Sequence, residues 1–413
     1  MQIHTLNKKK IINDPVHGFI SIPSELIFDL IEHPYFQRLR YIKQLGMTHL
    51  VYPGALHTRF HHALGAMHLM GLAIETLRNK GHEITNEEEE AVTIAILLHD
   101  IGHGPFSHAL EENIVVGISH EDISIMLMNN LNKQFNGQLD LAISIFDDTY
   151  PRHFLHQLVS SQLDMDRLDY LNRDSFFTGV SEGVISSDRI IKMLNVCNDH
   201  IVIEEKGIYS VEKFLIARRL MYWQVYLHKT VISAELLLSK ILKRSRELAL
   251  NHGVAFNLPG LGHFLSNKIE KSQFIDNPIH LERFAALDDT DIMAAIKVWK
   301  TSDDFILSKL CADLVERKLY KVDISNEQPN LQFINQLLET AAKKYNITKQ
   351  EASYFVFTDN IRNDAYKPDD GNILILMKNG NVKDIAEASD NSNLGALSKT
   401  VKKAIICYNK ELI

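Results

Sequence analysis

An adjacent histidine and aspartate, His99 and Asp100, stand where an amphipathic helix pattern ends. The run from Leu98 reads LHDIGHGPFSH, so His103 and His108 follow within nine residues. An imidazole and a carboxylate buried at a helix end carry a penalty unless something compensates them. A bound cation would remove that penalty, and the C-terminal end of a helix dipole also favours positive charge. The pattern therefore indicates either a metal site or a hydrogen-bonded His–Asp couple.

The helix that positions this pair has a clear beginning and end. Thr85 is placed to cap it and Glu88 to close a capping box. Apolar residues then recur at spacings of three and four and predict one buried face: Ala91, Ile94, Ala95 and Leu98. Gly102 and Pro105 stop the helix just after the His–Asp pair.

The bulk properties describe an ordinary globular chain. It has 413 residues, 45% of them hydrophobic and 23% charged, with a net charge of −8. This acidic balance argues against a protein whose main task is to coat nucleic acid. Three widely spaced cysteines predict free thiols in a reducing compartment. No apolar run is long enough for a signal peptide or a membrane span, so we expect a cytoplasmic location and no membrane partner.

Other segments predict a mainly helical chain with few strands. Helices are predicted over residues 23–32, 34–45, 57–79, 153–173 and 211–247. A β-hairpin is predicted over 197–210 around Lys206–Gly207, and a strand at 372–377 with a turn at 379–381, before a last helix. The residue pattern changes near residue 251, and Pro259–Gly260 marks a break shortly after. We therefore expect a core at residues 1–250 and a mostly helical C-terminal lobe at 251–413, with a short β-hairpin near 372–385.

Two further clusters of polar residues suggest a lined cavity. Arg59 and His62 fall in the first turn of the helix over 57–79, and helix N-termini attract anions. Asp166, Tyr170 and Asp174 are spaced four residues apart and so share one helix face. The alternative for that face is a ladder of surface ion pairs, each contributing a few tenths of a kcal/mol.

In order, His62, His99–Asp100 and Asp166 reproduce the H…HD…D pattern of HD-domain metal-dependent phosphohydrolases. The runs FQRLRYIKQLG at 36–46, YPGA at 52–55 and RFHH at 59–62 are similar to the dNTP triphosphohydrolase branch. The resemblance covers roughly residues 10–235. It implies a helical HD core with a small β-hairpin, and an enzyme that releases deoxynucleoside and inorganic triphosphate from dNTPs.

The resemblance also implies the residues of the centre. A divalent cation (Mn, Fe, Zn, Ni or Mg) would be held by four ligands: His62, His99, Asp100 and Asp166. The phosphates and protons would be handled by His103, His108, Glu111 and His120. Among these, His108 is the expected general acid, and Glu111 stands where the family usually has aspartate.

The substrate would be a dNTP, held by residues that the resemblance places around it. They are Gln44, Leu45, Arg59, Arg167, Tyr170, Asp174, Arg218, Tyr222 and Tyr226. Gln44 and Asp174 would bond the 3′-hydroxyl, while Leu45 and Tyr226 would crowd the 2′ position and exclude ribose. Arg167 replaces a lysine of the family and Tyr222 replaces a histidine.

A second nucleotide site, for an effector, is implied between subunits of a homo-oligomer. Its residues would be Lys10, Ile11, Asn13, Glu32, Gln37 and Arg40. The alternative is ordinary surface or interface charge. For the whole chain two other functions stay open: an HD phosphohydrolase acting on nucleoside monophosphates or cyclic nucleotides, and a catalytically silent nucleotide sensor.

Overall fold

Helices make up most of the described chain. The structure is a computed structural model that describes residues 10–106, 115, 117–252, 258–363, 366, 371–390 and 401–413. In chain order the α-helices are α1 (Glu25–Glu32), α2 (Pro34–Gln37), α3 (Arg59–Asn79), α4 (Asn86–Leu98), α5 (His120–Gln134), α6 (Asp140–Phe146), α7 (His153–Val159), α8 (Met165–Thr178), α9 (Ser187–Lys192), α10 (Ile208–Met221), α11 (Lys229–His252), α12 (Pro259–Ser266), α13 (Lys271–Asp276), α14 (Pro278–Ala285), α15 (Asp289–Trp299), α16 (Phe305–Val315), α17 (Leu331–Tyr345), α18 (Lys349–Ala352) and α19 (Ile385–Ala388).

Within the described ranges, short strands form three small sheets. The strands are β1 (Ile11–Asp14), β2 (Gly18–Ser21), β3 (Leu194–Cys197), β4 (His200–Glu204), β5 (Lys321–Ser325), β6 (Val356–Asn363), β7 (Leu374–Leu376), β8 (Val382–Asp384) and β9 (Val401–Tyr408). The sheet orders are β1-β2, β3-β4-β7-β8 and β5-β9-β6, and only the β4–β7 pairing among these strands is parallel. The predicted fold class, mainly α with small β elements, is confirmed.

Three packed helices bring the predicted metal ligands together. Helix α3 packs against both α4 and α8. Thr85 caps α4 and Glu88 closes the capping box, as the sequence predicts, and the helix ends at Leu98 beside His99. Asp164 caps α8 by accepting from the backbone N–H of Arg167, two residues from Asp166. Each helix start or end therefore fixes a polar side chain of the centre.

Helices α3 and α8 approach closely at Gly65. A Cβ at this position would lie 2.0 Å from Oδ1 of Asp169 and 2.2 Å from Nη2 of Arg173. Only glycine leaves room for these two buried side chains of α8. The absence of a side chain at Gly65 thus sets the distance between the helix that carries His62 and the helix that carries Asp166.

Several predicted helices are shorter or interrupted. The helix predicted over 34–45 is the single turn α2 followed by a 3₁₀ turn at Arg38–Tyr41. The helix predicted over 153–173 breaks between Val159 and Met165, because Asp164 caps a new helix there. The helix predicted over 211–247 starts at Ile208 and is interrupted by a π-helical turn at Tyr222–Tyr226. Such π turns are frequent at functional sites.

The predicted hairpin over 197–210 has its turn in a different place. Strands β3 and β4 are joined at Asn198–Asp199, where both residues have positive φ (51° and 63°). Two-residue hairpin turns need positive φ at both central positions, and Asn and Asp tolerate it. Lys206 and Gly207 instead belong to a 3₁₀ turn after β4.

Of the last helix predicted after the turn at 379–381, the described residues hold the single turn α19, and the strand β9 was not predicted. After the one-turn helix α19 the described chain continues as the strand β9, paired on both edges with β5 and β6. As the central strand β9 is buried from Ala404 to Tyr408. A doubly buried strand shows no alternation, so the pattern of residues does not separate it from a buried helix. The short hairpin β7–β8 is present near 374–384.

The hydrophobic core continues through both predicted regions. One cluster of buried apolar side chains includes Ile20 of β2, Phe214 of α10, Trp299 of α15 and Cys407 of β9. Helix α11 packs on β5 and α16 of the C-terminal region. The domain boundary at residue 250 stays a prediction. Among the described helices none is long and apolar enough to cross a membrane.

Candidate metal centre and adjoining cavity

The four side chains predicted to bind a cation lie close together, and the ligand atoms of His62, His99 and Asp166 all lie within 4.8 Å of one another. Oδ1 of Asp166 lies 3.0 Å from Nε2 of His62 and 3.5 Å from Nε2 of His99. The two imidazole nitrogens are 3.3 Å apart. The Asp100 carboxylate lies beside this group, with Oδ1 3.4 Å from Nε2 of His99 and Oδ2 3.8 Å from Nε2 of His62. Residues from α3, the end of α4 and α8 therefore share one small volume.

The electrostatics of this group favour a bound positive charge. Burial by itself would lower the pKa of His62, but the carboxylates of Asp166 and Asp169 raise it to about 10. Burial is likewise outweighed at His99, where Asp100 and Asp166 raise the pKa. The carboxylates respond in the opposite direction, and despite burial the pKa of Asp166 lies below its ordinary value. Two imidazole nitrogens and two carboxylates are ligands that suit a divalent transition metal, so the residues fit such an ion.

Hydrogen bonds on the outer side of each imidazole direct Nε2 toward the centre. Nδ1 of His99 donates to the carbonyl oxygen of Ile96 at 2.6 Å. Nδ1 of His62 donates to Oδ2 of Asp169 at 2.8 Å. Since these acceptors hold the proton on Nδ1, the lone pair of Nε2 in the neutral ring faces the centre. The sequence analysis did not identify Asp169, although its position three residues after Asp166 places it on the same side of α8.

The loop after α4 is fixed by residues that the sequence did not single out. Arg38 is buried and its Nη2 donates to the carbonyl oxygens of Ile101 and His103, both at 2.7 Å. The Ser124 hydroxyl donates to the carbonyl of His99 and accepts from the N–H of Gly102. These bonds satisfy the backbone groups that the helix end leaves unpaired. The loop is thus held on both sides of the His–Asp pair.

Of the four residues predicted to handle protons and phosphates, two are described. Nε2 of His103 lies 3.2 Å from Oδ1 of Asp100, and its ring stacks on that of His120 with centroids 3.8 Å apart. Burial and the neighbouring Arg59 guanidinium hold the pKa of His103 well below its ordinary value. His108 and Glu111 lie outside the described residues, so their roles stay predictions.

A cavity of about 470 Å³ opens beside the centre. Arg59 joins the two, because it lines the cavity while its Nη1 donates to Oδ2 of Asp100 at 2.6 Å. Five residues predicted to contact substrate lie in its wall: Gln44, Leu45, Arg59, Tyr222 and Tyr226. The cavity lining also includes Asp359 and Ile361 of β6, which the sequence did not assign to the site. The C-terminal region therefore closes one side of the cavity.

The other predicted substrate residues are not part of the cavity lining. They are Arg167, Tyr170, Asp174 and Arg218. Asp174 accepts from the Tyr226 hydroxyl at 2.6 Å and from Nε2 of His57 at 2.8 Å. The Tyr170 ring lies 6.5 Å from the ring of His62. Nε of Arg167 donates to the carbonyl of Ser161 at 2.6 Å, and Nη1 of Arg218 donates to Gln162 at 3.1 Å. His57, like Asp169, is a partner that only the folded chain reveals.

Several buried polar atoms have no hydrogen-bond partner among the residues described, and three of these atoms belong to predicted substrate residues. They are Nε of Arg59, Nε of Arg218 and Oε1 of Gln44. A buried donor without an acceptor costs about 1–3 kcal/mol, and more when the group is charged. An anionic ligand would supply acceptors to the two guanidinium groups.

The residues predicted to bind an effector lie on the surface of the chain. Lys10, Ile11 and Asn13 are exposed on or next to β1, and Glu32 is exposed at the end of α1. Gln37 is half-buried, its Nε2 donates to the carbonyl of Ile31 at 2.7 Å, and its Oε1 accepts from Nε of the exposed Arg40 at 2.8 Å. Their role between subunits stays a prediction.

Comparison with known proteins agrees with this geometry. Residues 59–172 match the model of the HD domain, and residues 185–253 match that of an HD associated region. The first range begins three residues before His62 and contains all four predicted ligands. The fold and the site thus define an HD-domain protein.

Full-length relatives show the family directly. A phosphohydrolase of Bacteroides thetaiotaomicron has 55% sequence identity and a TM-score of 0.94, covering 98% of this chain and all of its own. The uncharacterized protein YwfO of Bacillus subtilis is 35% identical over 93% of this chain and 88% of its own length. The chain belongs to the HD-domain phosphohydrolase family.

The deoxynucleoside triphosphate triphosphohydrolase SAMHD1 of Homo sapiens is a more partial match. It is 32% identical over 275 residues, which are 55% of this chain and 43% of the human protein. The resemblance to the dNTP triphosphohydrolase branch is confirmed.

Proposed function

We propose that this chain hydrolyses deoxynucleoside triphosphates to a deoxynucleoside and inorganic triphosphate, with a divalent metal as cofactor. The observation that carries the proposal is the position of Arg59. It contacts Asp100 at the His/Asp cluster, lines the adjoining cavity and keeps a buried Nε without a partner among the described residues. A polyphosphate seated there would meet both the cluster and an unpaired cationic donor.

The metal would be held by His62, His99, Asp100 and Asp166. Manganese is the ion we propose, with Fe, Zn, Ni and Mg as alternatives that the same ligands would accept. When bound, such an ion polarises a phosphoryl oxygen and lowers the pKa of a water molecule.

The phosphate chain would be bound by arginines. Arg59 and Arg218 each have a buried Nε without a partner in the part of the chain that the structure describes. Arg167, paired with Asp164, adds a third guanidinium, and like Arg218 it acts electrostatically on Tyr170. Three guanidinium groups match the charge of a triphosphate better than that of a monophosphate. This argues for nucleoside triphosphates over nucleoside monophosphates or cyclic nucleotides as substrates.

Proton transfer would be the task of the histidines beside the centre. The low pKa of His103 keeps its ring neutral near pH 7, so it would act through hydrogen bonds and not as a cation. His120 stacks on it and is partly exposed. We assign protonation of the leaving 5′-oxygen to His108, with Glu111 orienting a histidine.

Recognition of deoxyribose would depend on Gln44, Leu45, Asp174 and Tyr226. Asp174 is held by two donors, the Tyr226 hydroxyl and Nε2 of His57, so its carboxylate is already oriented. Leu45 and Tyr226 both line the cavity and would crowd a 2′-hydroxyl. We further propose a homo-oligomer with a nucleotide effector at the surface groups around Lys10 and Arg40, and a cytoplasmic location.

The experiment that tests the proposal is a product analysis. Purified protein is incubated with each dNTP and each rNTP in the presence of Mn, and the products are separated by ion-exchange chromatography. We expect inorganic triphosphate and deoxynucleoside from dNTPs and little product from rNTPs. Orthophosphate from monophosphates or cyclic nucleotides, with no triphosphate, would favour the other phosphohydrolase function. Nucleotide binding without any product or bound metal would favour a sensor.

A further inference from the structure

A buried cluster of charges connects the β1–β2 hairpin to the metal ligand His62. From this geometry we infer that Asp14 and His17 of the hairpin are positioning residues for His62, so that hairpin docking and metal binding are thermodynamically coupled. The inference rests on the metal centre of the proposed function and not on the identity of the substrate. Both hairpin residues lie outside the elements that supply the ligands.

Asp169 is the residue through which the connection runs. Its Oδ2 accepts from Nδ1 of His62 at 2.8 Å and from Nε of Arg173 at 2.9 Å. Its Oδ1 accepts from Nε2 of His17 at 2.6 Å and from Nη2 of Arg173 at 3.0 Å. The side chains of His62, Asp169 and Arg173 are fully buried, and that of His17 is 10% exposed. Each carboxylate oxygen is therefore fixed by two donors.

Asp14 holds the other side of Arg173. Its Oδ2 accepts from Nη1 at 2.7 Å and its Oδ1 from Nη2 at 3.3 Å. Oδ1 of Asp14 also accepts from the backbone N–H groups of Val16 and His17, both at 2.9 Å, and so closes the turn of the hairpin. One side chain thus shapes the turn that presents His17 and fixes the guanidinium that fixes Asp169.

The hairpin register places Asp14 on the buried side. In the antiparallel pair Ile12 lies opposite Ile20, and Asp14 opposite Gly18, so these residues share one face. The other face carries Ile11 and Phe19, which are 66% and 72% exposed. A two-stranded hairpin has little stability of its own. The contacts of its inner face must therefore supply much of its docking free energy.

The coupling follows from the cost of unpaired buried charge. If the hairpin moves away, Asp169 loses the His17 donor and Arg173 loses Asp14, while both still pack against α3 at Gly65. Removing one partner of a buried ion pair is strongly destabilising, so the cluster would rearrange. His62 would then lose the acceptor that orients its ring, and outer-shell partners of this kind set metal affinity. By linkage, metal binding must in return stabilise hairpin docking.

The first test measures metal affinity without any substrate. Manganese is titrated into wild-type protein and into His17→Ala, and free Mn is followed by electron paramagnetic resonance. We expect His17→Ala to bind Mn about tenfold to a hundredfold more weakly. His17→Gln, which keeps a side-chain donor, should recover part of the affinity. His153→Ala is the matched control, since His153 pairs with Asp148 at the surface and should leave Mn binding unchanged.

The second test uses the wild-type chain alone and covers the case in which His17→Ala fails to fold. Hydrogen–deuterium exchange of residues 11–21 is measured with and without Mn. We expect Mn to slow exchange in the hairpin about fivefold or more, which is the lower end of ordinary coupling between two sites. Unchanged Mn affinity in folded His17→Ala, or hairpin exchange that does not respond to Mn, would overturn the inference. A chain that binds Mn in this coupled way but releases no triphosphate would overturn only the proposed reaction.

Discussion

Oδ1 of Asp166 lies 3.0 Å from Nε2 of His62, although the two residues belong to helices α8 and α3, which are far apart in the sequence. Each residue lies in the first turn of its own helix, and Gly65 lets those helices meet closely. His99, at the end of α4, faces both. The centre therefore depends on helix ends and on one close helix contact, and both are sensitive to single substitutions.

Replacing Asp166 with alanine should remove the cation. The substitution takes away a carboxylate that lies within 3.5 Å of both imidazole nitrogens. We expect metal affinity to fall at least about a hundredfold, since even outer-shell partners contribute up to that much. Metal content after dialysis, measured by plasma mass spectrometry, checks this. Asp188→Ala, an exposed aspartate in the first turn of α9, is the matched control. Equal metal content in both variants would contradict the assignment.

Arg59→Lys should weaken substrate use while the fold is kept. Lysine keeps the positive charge but loses the planar fork that reaches Asp100 and a phosphate at the same time. We expect kcat/KM for dNTPs to fall about tenfold or more. Arg189→Lys serves as the control, because Arg189 contacts only the carbonyl of Lys206 at the surface among described residues. If both variants keep wild-type kcat/KM, Arg59 does not bind the phosphates.

Local signals in the sequence were sufficient to predict where the helix that ends at His99 and Asp100 begins and stops. The Thr85–Glu88 capping box is present, and the helix ends where glycine and proline follow. These features depend on residues within one or two turns of each other, so their physics is visible in the sequence. The order of His62, His99, Asp100 and Asp166 carried the family resemblance in the same way.

What the sequence did not show depends on long-range contacts. His17 and His57 bond Asp169 and Asp174 from distant segments, and nothing near either histidine indicates its partner. The strand β9 was not predicted, because burial on both faces removes its alternation. The π turn at Tyr222–Tyr226 lies inside an otherwise continuous helical pattern. Propensity and periodicity do not contain these tertiary effects.

Selection against ribose should depend on the size of Leu45. Leu45→Ala opens space in the cavity wall, so we expect the ratio of kcat/KM for rNTPs to that for dNTPs to rise about tenfold. Tyr226→Phe breaks the hydrogen bond to Asp174 but adds little space. It should lower kcat/KM for dNTPs and leave the ratio nearly unchanged. A ratio that stays at the wild-type value in Leu45→Ala would exclude crowding by this residue.

Two glycines of α3 should respond in opposite ways to the same substitution. A Cβ at Gly65 would overlap Asp169 and Arg173, whereas one at Gly71 would meet no atom within 4 Å. We expect Gly65→Ala to lower the free energy of unfolding by about 1–3 kcal/mol through overpacking. Gly71→Ala should raise it by about 0.5–1 kcal/mol, because alanine is the better helix former. Urea unfolding of the two variants gives the comparison, and similar values would mean that α3 and α8 are less closely packed.

Glu88 should make stability depend on pH in a defined direction. Burial raises its pKa, but Arg152, the N–H of Thr85 and the Tyr150 hydroxyl outweigh burial and lower it. Because the folded pKa lies below the unfolded one, the stabilisation is complete above the unfolded pKa, ordinarily 4.5. It is lost as pH falls through the folded value.

The variant Glu88→Gln removes this titration. At pH 7 we expect it to be less stable than the wild type by about 1–3 kcal/mol, because a neutral amide bonds Arg152 more weakly. Below the ordinary pKa of the carboxyl the difference should shrink and then vanish, since Glu88 becomes protonated in the folded chain as well. Urea unfolding from pH 7 to pH 3 measures the difference. Glu87→Gln, at an exposed position of the same turn, should show a small difference that does not change with pH. A large gap for Glu88→Gln that is constant with pH would mean that the stabilisation comes from packing and not from the charge on Glu88.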